Sequence, residues 1–182
     1  MASVAFAFRI KEVLFSCILL LNVALFSCNS EKKQELTEAE YRERLENVNR
    51  IMVRDEKKDI DDFITRHQFR MESSGTGLRY QVLSTGSGPR PKEHDQVILA
   101  YRVYDLAGTL LYDITKQDPD TFRMAEGNRV RGLEEALRLF PEGTHARVVL
   151  PAHLAYGMIG NDDKIAGATA LYYDLQLLDV QP

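Results

Sequence analysis

The 182-residue sequence has only two cysteines, no tryptophan and no excess of positive charge. Both cysteines, Cys17 and Cys28, lie near the N-terminus, so the rest of the chain cannot form an internal disulfide. The formal net charge of −4 does not provide the basic surface that binds phosphate backbones, and we expect no nucleic-acid partner. Disulfide-rich scaffolds and nucleic-acid-binding proteins are therefore excluded.

Groups for covalent or metal-assisted catalysis are also scarce. No cysteine remains after Cys28 for nucleophilic attack. The four histidines have no Asp, Glu or Cys at metal-ligand spacing; they are His67, His94, His145 and His153. The turn at Gly86-Ser-Gly88 lacks the Gly-Lys-Ser/Thr ending of a phosphate-binding loop. We therefore expect no metal and no cofactor.

Residues 1–27 have the pattern of an export signal. Arg9 and Lys11 precede an apolar run, Val13 to Leu25, that is too short to cross a bilayer. The run ends in Leu25-Phe-Ser-Cys28, which resembles a bacterial lipobox, in which the cysteine receives a lipid. The sequence predicts a lipoprotein of the bacterial cell envelope, held by Cys28 on the outer membrane and facing the periplasm. A plain secretory signal is the alternative interpretation.

A polar tether, residues 28–36, leads to a predicted helical arm over residues 37–72. Thr37 and Glu40 have the spacing of a capping box that opens a helix. Apolar residues then recur at helical spacing, before and after a charged segment; they are Tyr41, Leu45, Val48, Met52, Ile60, Phe63 and Ile64. This narrow stripe fits a helix packed on its own domain, an arm that forms a homodimer, or a limb that holds substrates.

Residues 73–182 alternate between apolar and polar residues, as half-buried strands do. The segments with this alternation are 78–83, 97–103, 109–114, 121–125, 144–150 and 170–180. Residues 131–140 have helical spacing instead, and Pro141 with Gly143 ends that helix. The predicted fold class is α+β, with an antiparallel sheet of about five strands wrapped over one short helix and preceded by the arm.

The region from Gly75 to Val180 resembles a known family. Its motifs occur in order and are well separated; they are Gly77-Leu-Arg-Tyr-Gln-Val-Leu, Val97-Ile-Leu-Ala-Tyr101, Tyr112-Asp113, Val130-Arg-Gly-Leu-Glu-Glu-Ala-Leu137, Pro151-Ala-His-Leu-Ala-Tyr-Gly157 and Leu171-Tyr-Tyr-Asp-Leu-Gln-Leu-Leu178. They resemble the FKBP family of peptidyl-prolyl cis-trans isomerases. With the lipobox and the arm, the whole chain is similar to exported FKBP lipoproteins of the macrophage-infectivity-potentiator and gliding-motility-associated types.

The resemblance implies an enzyme that accelerates rotation about X-Pro bonds in unfolded or partly folded polypeptides. It implies an aromatic cup lined by Tyr101, Tyr112, Phe122, Val130, Leu133, Ile165 and Tyr173. Tyr156 is expected to donate its hydroxyl to the peptide, and the backbone amide of Val130 to bind a carbonyl. Asp113 is expected to orient groups near the substrate amide.

Two residues and one loop segment depart from the family pattern. Leu133 stands where the family often has tryptophan at the floor of the cup, which predicts a deeper pocket. Residues 162–167 replace a proline-containing segment, which predicts a looser rim. Asp120 replaces an aromatic residue and makes one wall polar. The alternative function is therefore a non-catalytic FKBP-like chaperone or peptide-binding module.

Overall fold

The computed structural model describes residues 37–182. The predicted signal, the tether and the lipidation site at Cys28 lie outside the described residues. The chain divides into two compact units, Met1–Leu45 and Glu46–Pro182. In the described part of the first unit, the Thr37 amide donates to Glu40 Oε2 at 2.9 Å, and the Glu40 amide donates to Thr37 Oγ1 at 3.3 Å. These reciprocal bonds confirm the predicted capping box.

The described residues contain two α-helices and seven strands. Helix α1 is Glu38–Arg66, and helix α2 is Arg131–Leu139. The strands are β1 Glu72–Ser73, β2 Arg79–Ser84, β3 Gln96–Asp105, β4 Leu110–Ile114, β5 Asp120–Arg123, β6 His145–Leu150 and β7 Leu171–Gln181. A short 3-10 helix, Ala152–Leu154, follows β6. Neither α-helix of this region is both long and apolar enough to span a membrane.

All strands belong to one antiparallel sheet with the order β1-β2-β6-β7-β3-β4, and β5 also pairs with β3. The predicted α+β class is confirmed, with seven strands where the sequence predicted about five. The two-residue strand β1 is too short to show an alternating pattern. The pairing of β3 with β7 shifts its register between Ile98 and Leu99. At the same place in β7, the alternation of buried residues is interrupted, and the next buried residue after Leu177 is Val180, as a β-bulge produces.

The inner face of the sheet forms the main core. Buried residues alternate along β7, where Leu171, Tyr173, Leu175 and Leu177 are all almost inaccessible to solvent. Leu133 and Leu137 of α2 pack in the same cluster. Gly132 allows the close approach of α2, because a Cβ there would lie 2.8 Å from Leu150 Cδ2.

The outer face of the sheet is covered by the C-terminal half of α1. Ile60 and Phe63 are buried with Val149 and Ala170 in a second apolar cluster. The Phe63 ring lies 5.3 Å from the ring of Tyr172 on β7, measured between centroids. The end of the arm is therefore part of the packed domain.

Replacement of Phe63 by alanine is expected to lower the free energy of unfolding by about 3–5 kcal/mol, because it leaves a cavity under α1. Ile51→Ala on the same helix is the control, since Ile51 is exposed and its loss is expected to change little. Urea denaturation of the purified protein measures both. Equal stability of the two variants would contradict the packing of α1 on the sheet.

Candidate active site

All seven side chains expected to line the cup come together on the inner face, at the junction of β3, β4, β5, β7, α2 and the loop after the 3-10 helix. The buried members are Phe122, Leu133, Ile165 and Tyr173. Tyr101, Tyr112 and Val130 are partly buried and pack against them. The rings of Tyr101 and Tyr173 lie 5.7 Å apart between centroids. An apolar surface with aromatic walls results.

Burial acts on the phenols of the cup. Loss of water around the ring raises the pKa of Tyr173 far above its ordinary value, and nearby phenols, with Tyr156 first, add to the effect. The pKa of Tyr101 rises for the same reason, with a further contribution from its hydrogen bond to Asp120. Both hydroxyls therefore stay protonated at every physiological pH.

Tyr156 brings a hydroxyl to the cup. Tyr156 is 36% exposed. It lies close enough to the phenols of Tyr101, Tyr112 and Tyr173 to contribute to raising the pKa of each. Burial raises the pKa of Tyr156, while the nearby Arg129 lowers it and Asp120 raises it. No hydrogen-bond partner for this hydroxyl occurs in residues 37–182. The hydroxyl is free to donate to an incoming carbonyl.

The backbone at the start of α2 offers a second donor. Val130 is the N-cap of the helix, and its carbonyl accepts the Leu133 amide at 3.0 Å. Its own amide donates to no backbone carbonyl within the part of the chain that the structure describes. The first amides of a helix have no acceptor within the helix, so this edge of the cup can bind a carbonyl oxygen.

A carboxylate that the sequence analysis treated only as a polar wall is the centre of a hydrogen-bonded network. Asp120 Oδ2 accepts the Tyr101 hydroxyl at 2.8 Å and Arg129 Nε at 3.0 Å. A second contact, from Arg129 Nη2 to Asp120 Oδ1, makes the ion pair bidentate. The guanidinium carbon also lies 5.0 Å from the centroid of the Phe122 ring.

This network determines the charge of Asp120. Burial alone would raise the pKa of its carboxyl group, but the hydrogen bonds from Arg129 and Tyr101 outweigh burial and hold the pKa below its ordinary value. Arg129 was not predicted, because it lies in a loop and only the fold brings it to Asp120. The pair gives one wall of the cup a fixed dipole.

The outer rim of the cup is polar and tied together. Asn161 Nδ2 donates to the Tyr112 hydroxyl at 2.6 Å, and that hydroxyl donates to Asp163 Oδ2 at 3.0 Å. Asn161 Oδ1 accepts the Ile165 amide at 2.9 Å, which closes the loop on itself. The sequence predicts a looser rim, whereas these bonds restrain the loop without proline. Asn161 and Asp163 gave no signal in the sequence beyond their polarity.

Within residues 37–182, the Asp113 carboxylate has no hydrogen bond or ion pair with the other expected site residues. It pairs across the sheet with Arg102, and its Oδ1 lies 3.2 Å from Arg102 Nε, with both side chains substantially exposed. It follows Tyr112 directly in β4, so its side chain points to the opposite face of the sheet. Among the described residues, the carboxylates hydrogen-bonded to tyrosines of the cup are Asp120, through Tyr101, and Asp163, through Tyr112.

The family profile described as FKBP-type peptidyl-prolyl cis-trans isomerase matches residues 88–178, which include the whole cup. The chain belongs to this FKBP family. The FKBP-type peptidyl-prolyl cis-trans isomerase FkpA of Escherichia coli K12 is 35% identical over 118 residues, which are 62% of this chain and 41% of FkpA. The outer membrane protein MIP of Legionella longbeachae is 32% identical over 108 residues, 58% of this chain and 45% of MIP.

The matched regions thus span less than half of these curated FKBP relatives. Among solved structures, a peptidyl-prolyl cis-trans isomerase from Pseudomonas syringae pv. tomato DC3000 aligns with a TM-score of 0.60 and 25% identity, over 71% of this chain and 96% of that one. The crystal structure of E. coli FkpA aligns with a TM-score of 0.62 and 24% identity, over 98% of this chain and 95% of that one, and shows the same fold.

Asp120→Asn is expected to destabilise the protein by about 1–2 kcal/mol at pH 7, because the ion pair with Arg129 is lost while the burial remains. Since the folded pKa of Asp120 is lowered, its stabilisation is full above the unfolded pKa and is lost as pH falls through the folded value. The difference in the free energy of unfolding between the wild type and the Asp120→Asn variant should therefore become smaller below about pH 4. Urea denaturation at several pH values measures it.

Asp113→Asn is the matched control, because its pair with Arg102 is exposed and contributes little. A pH-independent difference for Asp120→Asn, or an equal loss for Asp113→Asn, would contradict the assignment of the network.

Proposed function

We propose that the protein is a peptidyl-prolyl cis-trans isomerase acting on unfolded or partly folded polypeptides. The observation that carries the proposal is the cup inside a matched FKBP domain, where Tyr156, whose hydroxyl has no hydrogen bond in residues 37–182, lies near the phenols of Tyr101, Tyr112 and Tyr173. An X-Pro bond rotates over a barrier of roughly 18–20 kcal/mol, because twisting destroys the amide resonance. No covalent step is needed to lower this barrier.

The cup is suited to the twisted state of the amide. A planar amide has more charge separation than a twisted one, so an apolar surface favours the twisted form. Phe122, Leu133 and Tyr173 provide that surface, with no more than 5% of each side chain exposed. Tyr156 and the Val130 amide would then hold the carbonyls that flank the rotating bond. The expected role of Asp113 near the substrate amide has no support from its contacts.

One observation favours the alternative of a non-catalytic binding module. The ion pair of Asp120 with Arg129 occupies a wall where the family has an aromatic side chain, so a bound prolyl residue meets a polar surface there. A cup of this kind can bind a peptide without favouring the twisted amide. The rate measurement that follows separates the two functions.

Tyr156→Phe is expected to reduce kcat/KM for a short Xaa-Pro peptide about tenfold, the effect of one lost hydrogen bond in the transition state. Isomerisation is measured by NMR exchange with several apolar Xaa residues. Tyr104→Phe is the matched control, because Tyr104 stacks on Tyr172 on the other face of the sheet. A folded wild-type protein without any acceleration would favour the binding module, and an unchanged rate for Tyr156→Phe would remove it from the mechanism.

We also propose that the protein is exported and anchored by lipid on Cys28 in the bacterial cell envelope, facing the periplasm from the outer membrane. The support is the apolar run that ends in Leu25-Phe-Ser-Cys28, together with the name of one relative, outer membrane protein MIP. The domain division into residues 1–27, 28–36, 37–72 and 73–182 belongs to this proposal. A homodimer through the arm is a further prediction, supported by the exposed side chains of Val48 and Ile51.

Cys28→Ser is expected to abolish incorporation of labelled fatty acid in a bacterial host and to release the protein from the membrane fraction, because the thioether cannot form. Cys17→Ser is the control, since Cys17 lies within the predicted signal and is removed with it. Metabolic labelling and fractionation measure both variants. Label retained by Cys28→Ser would contradict the lipoprotein assignment.

A further inference from the structure

A groove of about 1230 Å³ lies between helix α1 and three loops, and its lining includes Gly157 and Met158, which follow Tyr156 directly in the chain. One wall is α1 from Asn49 to Arg66. The other wall consists mainly of small residues, together with Leu106, His153 and Met158, from the turn at Leu106, the segment from Ala152 to Met158 and the loop around Ala168. All of these residues belong to the second compact unit.

The groove is built on a continuous set of hydrogen bonds. Glu56 Oε1 on α1 accepts the Ala152 amide at 2.6 Å, and the Ala152 carbonyl accepts the Gly157 amide at 2.7 Å. The Gly157 carbonyl accepts the Ala168 amide at 2.8 Å. These bonds join the helix wall, the floor and the loop wall, so the groove is a preformed feature of the fold.

The apolar part of the groove is adaptable. Met52 and Met158 lie on opposite walls, and Met158 is 64% exposed. Methionine is unbranched and polarisable, and it accommodates apolar side chains of different shapes. Val53 adds a further exposed apolar surface on α1. Such a surface fits polypeptides of varied sequence better than one defined small molecule.

The helix wall is acidic. Asp55, Asp59 and Asp62 recur four and three residues apart, so they lie on one face of α1, and Glu56 lies beside them. Arg66 is the only Lys or Arg among the residues that line the groove. Arg54 offsets Asp55 and Lys58 offsets Asp62, in exposed pairs that contribute little. The Asp59 carboxylate has no salt-bridge partner in residues 37–182, and the wall attracts positive charge.

We propose that this groove binds segments of client polypeptides in which apolar residues alternate with lysine or arginine. The inference rests on the proposed function, since it names the chemistry of the clients. Tyr156 and Met158 are two residues apart in one loop, so a client that enters the cup continues over this loop into the groove. The groove then selects clients by the residues that flank the proline, while the cup acts on the prolyl bond.

The test uses the full-length protein and fluorescein-labelled peptides that contain no proline, so that its result is independent of isomerase activity. One peptide alternates leucine with lysine, and the second has glutamate at every lysine position. Fluorescence anisotropy at low salt should show binding of the lysine peptide and little binding of the glutamate peptide. Asp59→Lys should weaken binding of the lysine peptide about fivefold, the upper range for one exposed ion pair.

Two matched controls separate the groove from general surface effects. Glu46→Lys makes the same charge change on α1 outside the groove, and Ile159→Ser removes an exposed apolar side chain beside Met158 that does not line the groove. Both should bind as the wild type does, whereas Met158→Ser should bind more weakly. Equal binding of both peptides, or equal weakening by Glu46→Lys and Asp59→Lys, would overturn the proposal.

Sedimentation equilibrium of the same proteins tests the other occupant of the groove. If wild type dimerises and Asp59→Lys and Met158→Ser are monomers, a second copy of the chain fills the groove, and the client proposal is wrong. An unchanged mass for all variants, with the binding pattern expected above, supports it. If the wild-type protein binds the proline-free lysine peptide but does not accelerate isomerisation of prolyl peptides, the proposed function is wrong and the groove proposal stands.

Discussion

Apolar residues on both faces of the sheet are the constraint that organises this domain. Val148 and Val149 are adjacent in β6, so they point to opposite faces, and both are buried. Helix α2 covers the inner face, and Phe63 of α1 covers the outer face. Because a sheet with an exposed apolar face is unstable and prone to association, the end of the arm stabilises the fold by covering this face.

The two covers have different consequences for function. On the inner face, Tyr112 of the edge strand β4 and Phe122 of β5 pack with the core that α2 covers, and the aromatic cup lies there. On the outer face, helix α1 is also bonded to the segment that follows β6, because Glu56 accepts a hydrogen bond from the Ala152 amide. Tyr156, which belongs to the cup, is followed directly by Gly157 and Met158, which line the groove beside α1, so the cup and the groove share one loop.

The ion pair of Asp120 with Arg129 modifies the cup without making it charged. The two groups are in direct contact, so their fields largely cancel a short distance away. Burial of the pair costs desolvation energy, which the bidentate contact and the Tyr101 hydroxyl offset. The result is a rigid polar wall that fixes the orientation of the Tyr101 ring.

Local patterns in the sequence predicted most of the fold. The capping box at Thr37, the alternation in β7 and the stop at Pro141 depend on neighbouring residues, and each was found within about two residues of its observed position. The cup was predicted from the family resemblance, because spacing alone does not distinguish a strand aromatic in the core from one in a site.

The rest depends on contacts between distant segments. Tyr101 reaches Asp120 because β5 pairs with β3, and Asn161 reaches Tyr112 across 49 residues. No periodicity records such pairs. The position of Asp113 also depends on strand pairing, because its register with Arg102 determines which face of the sheet it occupies.

The position of β7 gives the domain a particular order of assembly. This strand ends at Gln181, yet it lies in the middle of the sheet, between β6 and β3. Its pairing with β3 joins segments that are far apart in the sequence, such as Gln96 and Gln181, and contacts of such long sequence separation form slowly. A chain that emerges N-terminus first from a ribosome or a translocation pore therefore has no complete sheet until β7 has emerged, and the domain folds only after that strand is free.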